Sequence, residues 1–273
     1  MDKILDRSQE GEISFLRGGE GEPFLFLHGI PGSAFVWEKV GAILAAHFQV
    51  IAPDLLGFGQ SEGPRDDYYM ETQAEALGQF LTKQKIKSFY LCGHDFGGPV
   101  ALTLMRLFPN LPVKGLVLSA TNMFTDTYVP PPLRVAGIPW LNTLVFKTMA
   151  GNRMGLRLMY LAATQEKQAA SWEKFKRHLT PAGVNLTWRI FQRSLVDLKT
   201  NYQAVEAILP QLNLPTLILW GDKDPFFAVS VAERTQQAIS GSTLKIYQNT
   251  GHFVPEERPV CMAQHIKEFF EEW

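Results

Sequence analysis

The sequence predicts an α/β fold, a mostly parallel central sheet flanked by helices, with a helical insertion between two of its strands. Two observations predict it. Short apolar runs ending in Gly or Asp alternate with stretches of helical apolar spacing through the first part of the chain, the pattern of βαβ units. Between about Asn122 and Leu212 that rhythm stops, and afterwards it resumes. The expected boundaries are therefore a core of residues 1–121 and 213–273 and an insertion of 122–212, within the length that one large domain plus a smaller unit occupies.

In chain order, the strands expected are PFLFLHG (23–29), FQVIAPD (48–54), SFYLCG (88–93) and KGLVLSA (114–120). Helical spacing of apolar residues places helices in AFVWEKVGAILAAH (34–47) and METQAEALGQFLTKQ (70–84) between them. A third helix, PVALTLMRLF (99–108), should begin just after Asp95 and stop before Pro109-Asn110. Beyond the insertion, PTLILWG (215–221) and TLKIYQN (243–249) read as strands on either side of the helical VSVAERTQQAIS (229–240). Parallel strands joined by helices put ligands outside the carboxyl ends of the sheet.

The insertion is rich in Met, Trp, Phe and basic residues. Residues 123–205 hold eleven Lys/Arg against four Asp/Glu, a net of +7, so with a whole-chain charge of −1 the remainder carries −8. A basic lid over an acidic core would focus anionic substrates; the plainer reading is a solvated helix surface that complements the core. A net charge near zero argues against a nucleic-acid surface. The two cysteines, Cys92 and Cys261, are too few for a disulfide framework, and Cys92 sits in an apolar run as a packed thiol. MDKILDRSQEGE has no apolar leader region and no run approaches a membrane span. The expectation is a cytoplasmic protein without a membrane partner.

Every residue that carries chemistry lies just after an expected strand. Asp95, in Gly93-His94-Asp95-Phe96-Gly97, follows SFYLCG and precedes a helix, a strand–turn–helix context in which esterases place a nucleophilic serine. Backbone strain at such a turn should push Asp95 toward solvent, and the helix N-terminus favours its anion. After FLFL comes His28-Gly29-Ile30-Pro31-Gly32, whose Ile30 N–H can aim at the same point as the Phe96 N–H, two donors suited to an oxyanion hole. After PTLILW, Asp224 or Asp222 can accept a hydrogen bond from a histidine and fix its tautomer. After TLKIYQN, His252 has the chemistry of a general base. Singly these are turn glycines, a capping aspartate and a loop histidine; in the order nucleophile–acid–histidine, chance explains them poorly.

With these motifs in place, the chain resembles the α/β-hydrolase superfamily over essentially its whole length, through HGIPGS (28–33), VIAPDLLGFGQSEGP (50–64), GHDFGG (93–98), WGDKDPF (220–226) and TGHFVPEERP (250–259). Gly-His-Asp-aromatic-Gly is similar to the aspartate-nucleophile branch, which includes epoxide hydrolases and haloalkane dehalogenases. The resemblance implies a helical cap at 122–212 and favours Asp224 over Asp222; Asp126 or a neighbour after KGLVLSA stays open as the acid. An aspartate is already anionic at neutral pH and can displace a leaving group at saturated carbon without a base. The product is an ester of Asp95, which a water activated by His252 then hydrolyses, with no cofactor and no metal.

The leaving group separates the two reactions. An opening epoxide wants acidic hydroxyls, and Tyr202 sits where the epoxide-hydrolase pattern places one; Tyr128 and Tyr160 are candidates for a second. A halide wants N–H donors, but Phe96 and Ile30 stand where dehalogenases of this branch carry Trp and Asn, which leaves Trp140, Trp172 or Trp188 to supply an indole. The doubled glycine after Phe96 also resembles the epoxide hydrolases. The balance favours epoxide hydrolysis of a small hydrophobic or mildly anionic substrate. Haloalkane dehalogenation is the alternative within the branch. From other classes, a ligand sensor on a hydrolase scaffold and an esterase that has lost its serine also remain.

Overall fold

The computed structural model describes residues 6–10, 12–62, 68–127, 139–165 and 171–271. Eight strands form one sheet: β1 (Asp6–Glu10), β2 (Ile13–Gly18), β3 (Pro23–Leu27), β4 (Gln49–Pro53), β5 (Phe89–His94), β6 (Val113–Ser119), β7 (Thr216–Gly221) and β8 (Thr243–Tyr247). Their order is β1-β2-β4-β3-β5-β6-β7-β8. The six expected strands are all present and mutually parallel, while β1 and β2 add an antiparallel ribbon at one edge. That ribbon has no counterpart in the sequence reading. Its outer strand, DRSQE, is wholly polar and offers no apolar alternation, and Asp6 faces Arg17 across the pair.

The helices are α1 (Glu38–Leu44), α2 (Met70–Lys83), α3 (Gly97–Leu107), α4 (Pro139–Ala150), α5 (Arg153–Ala163), α6 (Trp172–Phe175), α7 (Pro181–Val196), α8 (Leu198–Ile208), α9 (Val229–Ala238), α10 (Val254–Glu257) and α11 (Pro259–Glu271). The stretch expected as one helix over 34–47 divides into a 3₁₀ segment, Ala34–Trp37, whose first turn Ser33 caps through the Phe35 N–H, and α1. α3 starts two residues before the expected position, straight out of the Asp95 turn. α11 was legible in principle: Met262, Ala263, Ile266 and Phe270 recur at helical spacing and bury against the core.

Between β6 and β7 the described chain is helical, α4 to α8, with locally readable starts. Asn152 accepts from the Gly155 N–H at 2.9 Å, Thr180 from the Gly183 N–H at 3.0 Å with Pro181 in the first turn, and Asp197 from the Thr200 N–H at 3.0 Å. The apolar core lies on both faces of the sheet, one layer with Phe15, Leu27 and Leu91 and the other with Phe24, Phe26 and Trp37. Cys92 is buried in the second layer, where burial pushes its thiol up, as a packed cysteine should behave, while Cys261 is exposed. Among the described residues no helix is long and apolar enough to cross a membrane.

Candidate active site

The turn between β5 and α3 puts Asp95 at φ +52°, the left-handed region that costs a residue with a side chain. Its geometry is over-determined. The Asp95 N–H donates to Ser119 O at 3.1 Å, and Asp95 O accepts from the Gly98 N–H at 3.0 Å and from the Thr121 hydroxyl at 2.6 Å. A Cβ at Gly98 would lie 2.2 Å from the Thr121 Oγ1, and one at Gly29 would lie 2.3 Å from the Asp95 Cβ, so both positions exclude any side chain. The expected strain is there, but the expected projection into solvent is not. The Asp95 side chain is 13% exposed and opens into a cavity roofed by α5, α7 and α8.

Two main-chain donors meet that carboxylate. The Ile30 N–H donates to Oδ1 at 2.8 Å, and the Phe96 N–H hydrogen-bonds the same group. Burial alone would raise the Asp95 carboxyl, but the hydrogen bond and charge of His252 and the Phe96 N–H outweigh it and hold the group below the usual carboxylate range.

His252 Nε2 lies 3.5 Å from Asp95 Oδ2, and His252 Nδ1 lies 2.9 Å from Asp224 Oδ2. Asp224 is fixed in turn by the Phe226 and Phe227 N–H groups, which donate to Oδ1 at 2.8 and 3.1 Å. The other two candidate acids point elsewhere. Asp222 accepts from the Thr250 N–H at 3.1 Å, and Asp126 is an exposed partner of Arg234. Burial would lower the His252 imidazole; the charge of Asp224, hydrogen bonds to Asp224 and Asp95 and the charge of Asp95 override it and raise the group to about 10. The His252 N–H donates to Ala163 O at 2.8 Å, tying this loop to the end of α5.

Two further histidines have no part in the sequence reading. His28 Nδ1 donates to Gly29 O at 2.8 Å while Nε2 accepts from the Leu55 N–H at 2.9 Å, so burial keeps it neutral in a structural role. His94, the residue before Asp95, packs its ring 4.9 Å from that of His252, and burial depresses it to about 3. A neutral neighbour there leaves the charge on His252.

Above Asp95 the cavity is apolar, lined by Leu156, Met159, Phe191 and Leu198, with hydroxyls from Tyr160, Ser194, Tyr202 and Thr127. Burial raises the Tyr202 phenol to about 12, against hydrogen bonds with Ser194, Asn122 and Tyr69 and together with the charge of Asp95. Tyr69 completes that cluster: its hydroxyl is 3.2 Å from Ser194 and its ring lies under the Arg193 guanidinium. None of these neighbours falls in a readable motif, since three distant segments supply them.

The indole candidates fare differently. Trp188 Nε1 donates to Asn185 at 3.1 Å, and Trp172, outside the cavity lining, stacks on Phe175 and meets Tyr160 at a tilt. Trp140 falls in α4, where only its backbone is described, and Tyr128 lies outside the described residues. No Lys or Arg is among the described residues lining the cavity. Among the described residues no cluster of His, Cys, Asp and Glu is arranged to hold a metal.

The sequence profile of the α/β-hydrolase fold matches residues 22–259. The chain belongs to the α/β-hydrolase fold family. Haloalkane dehalogenase 2 of Mycobacterium tuberculosis is 25% identical over 96% of this chain and 93% of its own. An uncharacterised protein of the same organism is 29% identical, covering 94% and 78%. Among solved structures, the epoxide hydrolase CorEH aligns with a TM-score of 0.75 at 22% identity over 98% of each chain. At such identity the likeness speaks for the fold alone: a thermophilic esterase from Thermogutta terrifontis shares it at TM-score 0.78 and 24% identity, over 98% of each chain.

Proposed function

We propose that this α/β-hydrolase opens small apolar epoxides through a covalent ester of Asp95. The observation that carries the reading is a carboxylate, not a hydroxyl, at the strained turn, with the Ile30 N–H on Oδ1, the Phe96 N–H also bonded to the carboxylate, and His252 Nε2 3.5 Å from Oδ2. Asp95 attacks a ring carbon, and the C–O electron pair leaves on the oxygen. Tyr202, on α8, donates to that oxygen, with Tyr160, on α5, as the second tyrosine of the lining.

Alkylation makes Asp95 a neutral ester. Two of the four influences that raise His252 disappear, so the imidazole falls from about 10 toward its ordinary range and gives up its proton. Neutral His252, oriented by Asp224, then takes a proton from water, and the hydroxide attacks the Asp95 carbonyl carbon. The Ile30 and Phe96 N–H groups stabilise the oxyanion, and expulsion of the diol restores the carboxylate. In this reading residues 1–121 and 213–273 are the catalytic core and 122–212 the cap; helices α4 to α8 and the apolar roof support that division.

The name of the 25% identical relative favours a second reading, carbon–halogen hydrolysis by the same ester. Against it, no indole lines the cavity among the described residues, and the amide of Asn122, which does line it, donates to Phe124 O at 3.1 Å. Incubation with styrene oxide, 1-bromobutane and p-nitrophenyl esters separates the cases. Epoxide turnover is expected; preferential bromide release would move the assignment to dehalogenation, and tight binding without turnover of any would point to a sensor. Tyr202→Phe is expected to slow epoxide opening about 100-fold while leaving ester hydrolysis of Asp95 unchanged, in the range that general acids contribute. Unchanged opening in pre-steady-state kinetics would remove Tyr202 from the site.

A further inference from the structure

Glu256 is a buried titratable group that this mechanism leaves unused. It lies in α10, 4% exposed, and its two oxygens meet different surroundings. Oε2 accepts from the Tyr160 hydroxyl at 3.1 Å, whereas Oε1 has no partner among the described residues. Tyr160 lines the cavity with Asp95 and His252. Glu256 lines a separate cleft with Glu38, Lys39 and Lys174, and two of these, Glu38 and Lys174, are exposed. The pair therefore joins the surface cleft to the apolar cavity through one hydrogen bond.

We propose that Tyr160 and Glu256 form a two-residue proton path from the surface cleft into the cavity, in which the acid form of Glu256 sets Tyr160 to protonate the oxygen of an opening epoxide. This rests on the epoxide-opening reading above. Glu256 acts through Tyr160 and is a positioning and supply residue. As the ring C–O bond breaks, its electron pair stays on oxygen and takes the Tyr160 proton. The phenolate takes the proton of Glu256, and the Glu256 carboxylate regains one from solvent through the cleft. Hydrolysis of the Asp95 ester later releases one proton, so the cycle balances.

When Glu256 is ionised, the phenol hydrogen is committed to Oε2 and the buried phenol is pushed upward by burial first and then by the Glu256 charge. Only the protonated acid can instead donate to the phenol oxygen and free its hydrogen for the cavity. The groups that act on Glu256 are Tyr160 on α5, Lys39 on α1, Lys174 on α6 and Glu257 beside it on α10. Burial and Glu257 raise it, Tyr160 and the two lysines lower it, and the outcome is about 7, so both forms are populated near neutrality.

The test uses the His252→Gln protein, in which the alkyl-enzyme should persist, exposed to styrene oxide from pH 5 to 9 and followed by intact mass. The alkylation rate is expected to fall as pH rises through about 7. Glu256→Gln, which keeps the size and a hydrogen-bonding group, should remove that limb and lower the rate about tenfold at pH 6. Tyr160→Phe should remove it independently, and the double variant should be no slower than Tyr160→Phe alone, since the residues act in series. Alkylation with the limb intact in Glu256→Gln, or additive losses in the double variant, would sink the path while leaving the Asp95 reading in place. No adduct from the epoxide in the parent would overturn that reading and the path with it.

Discussion

Exchanging His252 for Gln is expected to turn the protein into a stoichiometric trap for its substrate. Asp95 needs no base, because a carboxylate is anionic near neutrality and the Ile30 and Phe96 N–H groups still hold the anion when His252 is exchanged. The first half-reaction should therefore survive. The second should not, since Gln cannot take a proton from water, and a general base in this role is worth about 10² to 10⁴ in rate. Intact mass should show an adduct of one substrate molecule, stable for hours, where the unmodified protein shows none. A His252→Gln protein that turns over normally, or that is inactive without an adduct despite a native fold, would contradict this division of labour.

Asp95→Ala is the complementary case and the larger loss. The attacking atom is gone, so no adduct should form, and turnover should drop by about 10⁵-fold, the scale on which removal of a covalent nucleophile acts. The same change has a second, independent readout. Asp95 supplies both a hydrogen bond and a charge that raise His252 to about 10, so the imidazole should titrate lower in the variant, visible in its proton resonance. A raised histidine stabilises the fold fully below its unfolded pKa of about 6.5, and the contribution fades as pH climbs through the folded value. Thermal unfolding of the unmodified protein should therefore weaken between those limits, and the variant should show a flatter profile there. An unchanged His252 titration would mean that the 3.5 Å contact carries no coupling.

The sheet was legible because its parallel strands other than the edge strand β8 are buried on both faces and read as apolar runs bounded by Gly or Asp. Polar β1 broke that pattern and was invisible. At the site, Asp95, Asp224, His252, Ile30 and Phe96 were readable since each sits at a strand end within a short motif. The motifs alone left Asp222, Asp224 and Asp126 open and only the family resemblance favoured Asp224, because the choice depends on which side chain a histidine 28 residues from Asp224 touches. The hydrogen bond between Tyr160 and Glu256 was beyond local reading for the same reason. Those two residues are 96 positions apart, and only the packing of α5 against α10 makes them partners. Sequence motifs report chemistry concentrated in one turn; they are silent on contacts that helices from the insertion make with the core.

The central claim is that Asp95 itself forms the covalent bond to substrate. A single turnover in heavy-oxygen water, with protein in excess over styrene oxide, tests it most directly. Water attacks the Asp95 ester carbonyl in this account, so the label should enter the peptide that contains Asp95 and be absent from the first diol released. Label found wholly in that first diol, with the Asp95 peptide unlabelled, would mean that water attacks the epoxide directly and that Asp95 is not the nucleophile.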